Sequence, residues 1–154
     1  MATQQQTLKD MMDNITSKHR AAKSLRGTSP SEASYLAGYC LECFLKCAIG
    51  LTGGYTEPGK PDRDWPFDHR PKKLKTAWLQ ILTQLTVPGQ VYSEINNFIS
   101  GPKFPRILAD EWDVEKRYSP NWTFGDLERV INVELKDIQD IADQTRLNFS
   151  GRFV

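Results

Sequence analysis

Cysteine, histidine and net charge are all scarce in this 154-residue chain, and each scarcity removes a class of protein. The 3 cysteines, Cys40, Cys43 and Cys47, sit on one short stretch and cannot make a disulfide framework, so a reducing, cytoplasmic setting is the simplest expectation. With 20 basic and 19 acidic side chains the formal net charge is only +1, and bulk charge implies no nucleic-acid binder. No long uncharged apolar run exists. The best candidate, residues 35–51, is interrupted by Glu42 and Lys46 and is too short and too charged for a comfortable membrane span. Residues 1–9 lack a basic region followed by an apolar run, so no signal peptide is expected. Strict apolar–polar alternation, internal repeats and low-complexity tracts are also missing, which leaves a sheet without support. What is there is ordinary for a globular domain, with 39% hydrophobic and 25% charged residues, and the length suits one domain with a real core.

The apolar residues recur at helical steps. Leu8, Met11, Met12, Ile15, Ala22 and Leu25 predict a helix over 7–25, stopped by Gly27, with Lys18, Arg20, Lys23 and Arg26 complementing the negative pole of its dipole. Ser29, Pro30 and Glu32 form a helix-start signal, with Ser29 and Glu32 spaced as a capping box. The helix over 30–51 that follows is apolar nearly all round, which places it in the middle of a bundle. Residues 52–70 read as a long loop. A third helix starts near Pro71, with Leu74, Ala77, Trp78, Ile81, Leu82 and Leu85 on one face. Pro88 opens a shorter helix with Val91, Ile95, Phe98 and Ile99 inward; residues 100–121 read as a second long connection carrying Trp112. A final helix over 124–147, capped by Thr123, has Leu127, Val130, Ile131, Leu135, Ile138, Ile141 and Ala142 as its core stripe, and 148–154 read as a loose tail. The expected fold is a single all-α domain, a four- to five-helix bundle with its core over about 7–147.

Glu42 and Lys46 stand i, i+4 in the favourable order. Among Leu41, Cys43, Phe44, Leu45 and Cys47 a charge is costly unless paired or facing a wet cleft. They mark either the one narrow wet face of the central helix or a polar groove between helices. Cys40, Cys43 and Cys47 fall within about 60° on a helical wheel. Without a fourth ligand nearby they read as small buried hydrophobes, and no metal is expected. His69, Arg70, Lys72, Lys73 and Lys75 put cations at a helix N-terminus, against the dipole, which favours either a solvated face or an anionic partner such as phosphate. Arg117 and Tyr118 follow Trp112 and either pin this connection to the bundle or pair with a carboxylate, for which Glu42 is a candidate. His19, between Lys18 and Arg20, reads as exposed.

The run Ala33-x-Tyr35-Leu36-Ala37-Gly38-Tyr39-x-Leu41-Glu42-x-x-Leu45-Lys46, followed by His69, Leu74 and Arg117-Tyr118 before a long last helix, resembles the HEPN domain. The resemblance covers residues 10–147 and implies a four- to five-helix bundle, commonly a homodimer. Many HEPN proteins are metal-independent endoribonucleases of toxin–antitoxin, CRISPR and other defence systems. Others are non-catalytic and accompany a small nucleotidyltransferase. The ribonucleases carry an Arg, four to six residues, then a His. Counted from Arg117, that His would stand at Trp122, Thr123 or Phe124, and no His follows His69. The resemblance therefore implies a binding or accessory component of such a system, with a partner protein, RNA or a nucleotide as its target and no cofactor or membrane. Glu42, Lys46, Tyr118, Arg70 and Lys73 would be its binding residues. The alternative is an atypical ribonuclease using Arg117 with His69 as cation and base.

Overall fold

The computed structural model describes residues 8–52, 70–84, 92–113, 115–116, 119 and 121–153. Among them every regular element is helical and there is no strand. Six helices follow in order among these residues: α1 (Leu8–Leu25), α2 (Pro30–Leu51), α3 (Pro71–Gln84), α4 (Ser93–Ser100), α5 (Arg106–Glu111) and α6. The last begins as Leu127–Arg129, passes through a π-helical turn Val130–Glu134 and ends as Leu135–Asn148. Leu85 and Val91, expected on core faces, lie outside the described residues.

α1 and α2 form an antiparallel pair. The thiol of Cys40 points at the Ile15 carbonyl, 3.6 Å away, and that of Cys47 at the Leu8 carbonyl, 4.0 Å away, so partners run in opposite order along the two helices. α6 lies antiparallel to α1 on the same principle: Arg26 meets Asn132 at 3.0 Å, Thr16 meets Gln139 at 3.1 Å, and Asp13 meets Arg146 at 2.8 Å. The opposite side of α2 carries the shorter helices. Phe44 packs edge-on against Phe98 at 5.4 Å, and the Tyr92 hydroxyl donates to the Leu51 carbonyl at 3.3 Å. α2 is thus wrapped from two sides. Among the described residues it is the one helix long and apolar enough to cross a membrane, yet 78% of that window is buried against the rest of the protein, which accounts for its apolarity.

Four expectations need correction. Ser29 is at the N-cap of α2, but its side chain makes no capping bond, so no capping box forms. The last helix starts at Leu127, not Phe124, because the Asp126 carboxylate, not Thr123, accepts the Arg129 N–H at 3.1 Å. Phe124 is instead buried against α2. The connection 100–121 contains α5, a helix too short to signal itself by periodicity. The supposed tail folds back: the Phe149 ring lies parallel to Tyr92 at 5.7 Å, and Ser150–Arg152 make a 3₁₀ turn.

The π turn of α6 ends at Glu134, which is only 7% exposed and stands on the core stripe, three residues after Ile131 and four before Ile138. There its Oε1 accepts the Leu108 N–H at 2.9 Å and its Oε2 the Ile107 N–H at 3.0 Å. These are first-turn amides of α5, which have no partner inside the helix. A carboxylate at a helix N-terminus also satisfies the dipole. α5 therefore takes its start from a side chain on another helix.

Candidate functional site on the central helix

Tyr35, Tyr39, Glu42 and Lys46 recur at steps of four, three and four on α2, which puts them within about 60° on one face. The Tyr35 and Tyr39 rings are parallel to within 4°, their centroids 6.5 Å apart. One and two turns on, the Lys46 ammonium reaches Glu42 Oε2 at 3.4 Å, with side chains 17% and 3% exposed respectively. Removing one partner from so buried a pair leaves an uncompensated charge, the expensive outcome for a buried ion. Glu42 and Lys46 therefore come together as their spacing foresaw.

The segment after α5 brackets this face. Trp112 stands edge-on to Tyr35 at 5.5 Å and tilts against Trp122 at 6.0 Å, while Trp122 meets Phe124 edge-on at 4.4 Å. The ammonium of Lys116 lies 5.5 Å from the centre of the Trp122 ring, within cation–π range. Two features fasten the segment. The Phe124 N–H donates to the buried Ser34 hydroxyl at 3.2 Å, and Gly38 gives the Trp112 indole a surface without a Cβ. The aromatic part of this site is not among the expected residues. Its signal lies in the sequence all the same, since the Glu42–Lys46 spacing continues backwards to Tyr39 and Tyr35.

The other expected site residues fare differently. Arg117, Tyr118 and His69 lie outside the described residues, and with them the proposed meeting of Arg117 with Glu42 or His69. Arg70 accepts the Lys73 and Leu74 N–H groups on its carbonyl, both at 3.0 Å, and so opens α3; Lys73 is exposed on its first turn. The cations around it have protein partners. Lys72 pairs with Asp110 at 3.0 Å, and the Lys75 ammonium sits 4.5 Å from the Phe104 centroid. The dipole cost that suggested an anionic ligand is offset in part by contacts to α5 and the turn before it. His19 is half-buried rather than exposed, because α6 covers one side of it.

The three cysteines are buried thiols, and among the described residues no group of His, Cys, Asp or Glu is arranged to hold a metal. Burial pushes the Cys43 thiol up to about 12, helped by the neighbouring Glu42 charge, and Cys40 well above its ordinary value. Such thiols are poor nucleophiles. A thiol reagent at mildly alkaline pH is expected to find no rapidly reacting group in the folded protein and all 3 cysteines once guanidinium is added. A thiol that reacts at once in the native state would contradict this packing.

The chain has no match among protein-family models, curated proteins or solved structures.

Proposed function

We propose that this chain is a HEPN-like helical protein that acts by binding rather than by cutting RNA. On this reading it is a homodimeric accessory component of a prokaryotic toxin–antitoxin or defence system, working in the cytoplasm with a partner protein, such as a nucleotidyltransferase, or with RNA. The observation that carries the reading is the Glu42–Lys46 pair, 3.4 Å apart on the central helix, continued by Tyr35 and Tyr39 on the same face. It supports the reading in two ways. The pair stands where the resemblance has its Glu-x-x-Leu-Lys element. Its aromatic extension, edged by Trp112 and Lys116, supplies the flat rings and cation suited to a base or a partner's side chains. The histidine that would make the reading a ribonuclease is absent after position 69.

The test is incubation of purified protein with structured and single-stranded RNA in the presence of chelator, with size measured by light scattering in parallel. No cleavage above that of an Arg117→Ala preparation is expected, together with the mass of a dimer. Robust cleavage that Arg117→Ala abolishes would overturn the binding reading in favour of the ribonuclease, and a monomer at high concentration would overturn the dimer.

A further inference from the structure

α1 and α6 enclose an open cleft of about 480 Å³ on the side of the molecule where they face each other. That is the size of a small-ligand site. From α1 it is lined by Thr16, His19, Arg20 and Lys23, spaced i, i+3, i+4, i+7 on one face. From α6 come Gln139, Asp143 and Arg146, at i, i+4, i+7. Three permanent cations and an imidazole thus converge on a cleft whose lining, among the described residues, holds one carboxylate. That carboxylate, Asp143, is engaged, since it accepts the Gln139 amide at 2.9 Å.

The fold accounts for these cations only in part. Lys23 belongs to the last turn of α1, where the dipole favours it, but Arg20 and His19 are a turn further in. Like charges at i, i+3 and i+4 repel. Burial above all, with Lys23 adding to it, holds His19 below its ordinary value, while the Gln139 side chain and Asp140 pull it part of the way back. Arg146 is held at 2.8 Å from Asp13, and its Nε is buried with no hydrogen-bond partner among the described residues. The guanidinium is therefore oriented but not saturated.

The layout also limits the ligand. Asp13, the anchor of Arg146, stands ten residues before Lys23, so the cations are strung over about 15 Å of helix. A single small anion cannot touch both ends. Among the described residues no Phe, Tyr or Trp lines the cleft, and its charged lining suits phosphate better than a base. We infer that this cleft binds a ligand carrying two or more linked phosphates, gripped by Arg20 and Lys23 on α1 and Arg146 on α6, with His19 between them. The two sources of that chemistry are a single-stranded nucleic-acid backbone and a free polyphosphate. The site is separate from the α2 stripe and does not depend on its role.

The experiment is fluorescence anisotropy with a short labelled RNA lacking terminal phosphates, and calorimetry with inorganic tripolyphosphate, each across a salt series. Arg20→Ala/Lys23→Ala removes two exposed cations and keeps the apolar stripe of α1 intact, which circular dichroism checks. Lys136→Ala, which removes an α6 cation paired with Asp140 at 3.3 Å and outside the cleft, serves as the control. The double variant is expected to weaken binding at least tenfold. With RNA it should also flatten the slope of log K against log salt by about 1.4, the loss of two phosphate contacts on a single strand. The control should change neither.

Binding of the RNA, whose diester phosphates keep their charge throughout, should also tighten as pH falls from about 7.5 to about 6, because a bound phosphate draws a proton onto His19, and His19→Ala should abolish that trend. The charged groups around this imidazole are Arg20 and Lys23 on its own helix and Asp140, Asp143 and Arg146 on α6. A response with RNA identifies a strand, and a response with tripolyphosphate alone identifies a free polyphosphate. Binding of neither, or binding equally strong in the double variant, overturns the inference and leaves a solvated basic face.

Discussion

Replacing Gly38 with alanine destabilises this protein by about 2 kcal/mol, although the same change in an exposed helix would stabilise it by about 1 kcal/mol. The sign reverses because of Trp112. A Cβ on Gly38 would lie 2.6 Å from both Cγ and Cε3 of the indole and closer still to Cδ2. The ring has little room to withdraw, being only 2% exposed and held between Tyr35 and Trp122. Trp112→Ala alone is expected to cost about 3–5 kcal/mol through lost burial and the cavity left behind. The informative variant is the double one. In the Trp112→Ala background the clash is gone and helix propensity remains, so Gly38→Ala should become neutral or stabilising by up to about 1 kcal/mol. Urea titrations of wild type, the two single variants and the double variant measure the cycle. An equal cost of Gly38→Ala in both backgrounds would show that close approach of Trp112 is not what position 38 requires. Since Trp112 also edges Tyr35, the single variants should disturb any ligand of the α2 stripe as well.

Glu134 carries the second large effect. Glu134→Ala strands the Ile107 and Leu108 amides, the latter fully buried, and each unsatisfied donor costs about 1–3 kcal/mol. Glu134→Gln keeps one acceptor oxygen and should fall between wild type and alanine. The pH dependence separates capping from charge. Burial raises the Glu134 carboxyl above its ordinary 4.5, and the Leu108 and Ile107 amides pull it part of the way back. A raised carboxyl means that the folded state favours the protonated form. Its contribution to stability is then full below about pH 4.5 and is lost as pH climbs through the folded value. The advantage of wild type over Glu134→Gln should therefore be greatest in acid and shrink towards neutrality. Asp13 runs the other way. Lys9, then Arg146, hold it below 3.8, so its contribution is present at neutral pH and lost on acidification. An advantage of wild type over Glu134→Gln that grows from acid to neutral pH would contradict the assignment.

Gly38 and Glu134 also mark where a local reading of the chain stops. Gly38 is recognisable as small, but nothing near it in sequence names Trp112, far along the chain, as the reason. Glu134 sits among Val130, Ile131 and Leu135 as one polar residue on a helix. Its spacing from Ile131 and Ile138 puts it on the core stripe, but only the packing of α5 gives it amides to hold. α5 itself escapes a periodicity reading for the same reason. Its 6 residues cannot make a periodic signal, and their start depends on a carboxylate from another helix. His19 reads as exposed because its neighbours in sequence are cations, while its neighbour in space is Gln139.

The sequence by itself determined the all-helical class, the bounds of α2, the burial of its three thiols and the pairing of Glu42 with Lys46. All of these follow from a period of about 3.6 residues and from contacts no more than about one turn apart. Tertiary structure decided what brackets the Glu42–Lys46 stripe, how α5 begins and which cations line a common cleft. Each of those joins residues far apart in the chain, where no local pattern carries information about distance. Helix formation is a local balance of propensity and patterning, whereas the assembly of a site depends on which helix faces meet.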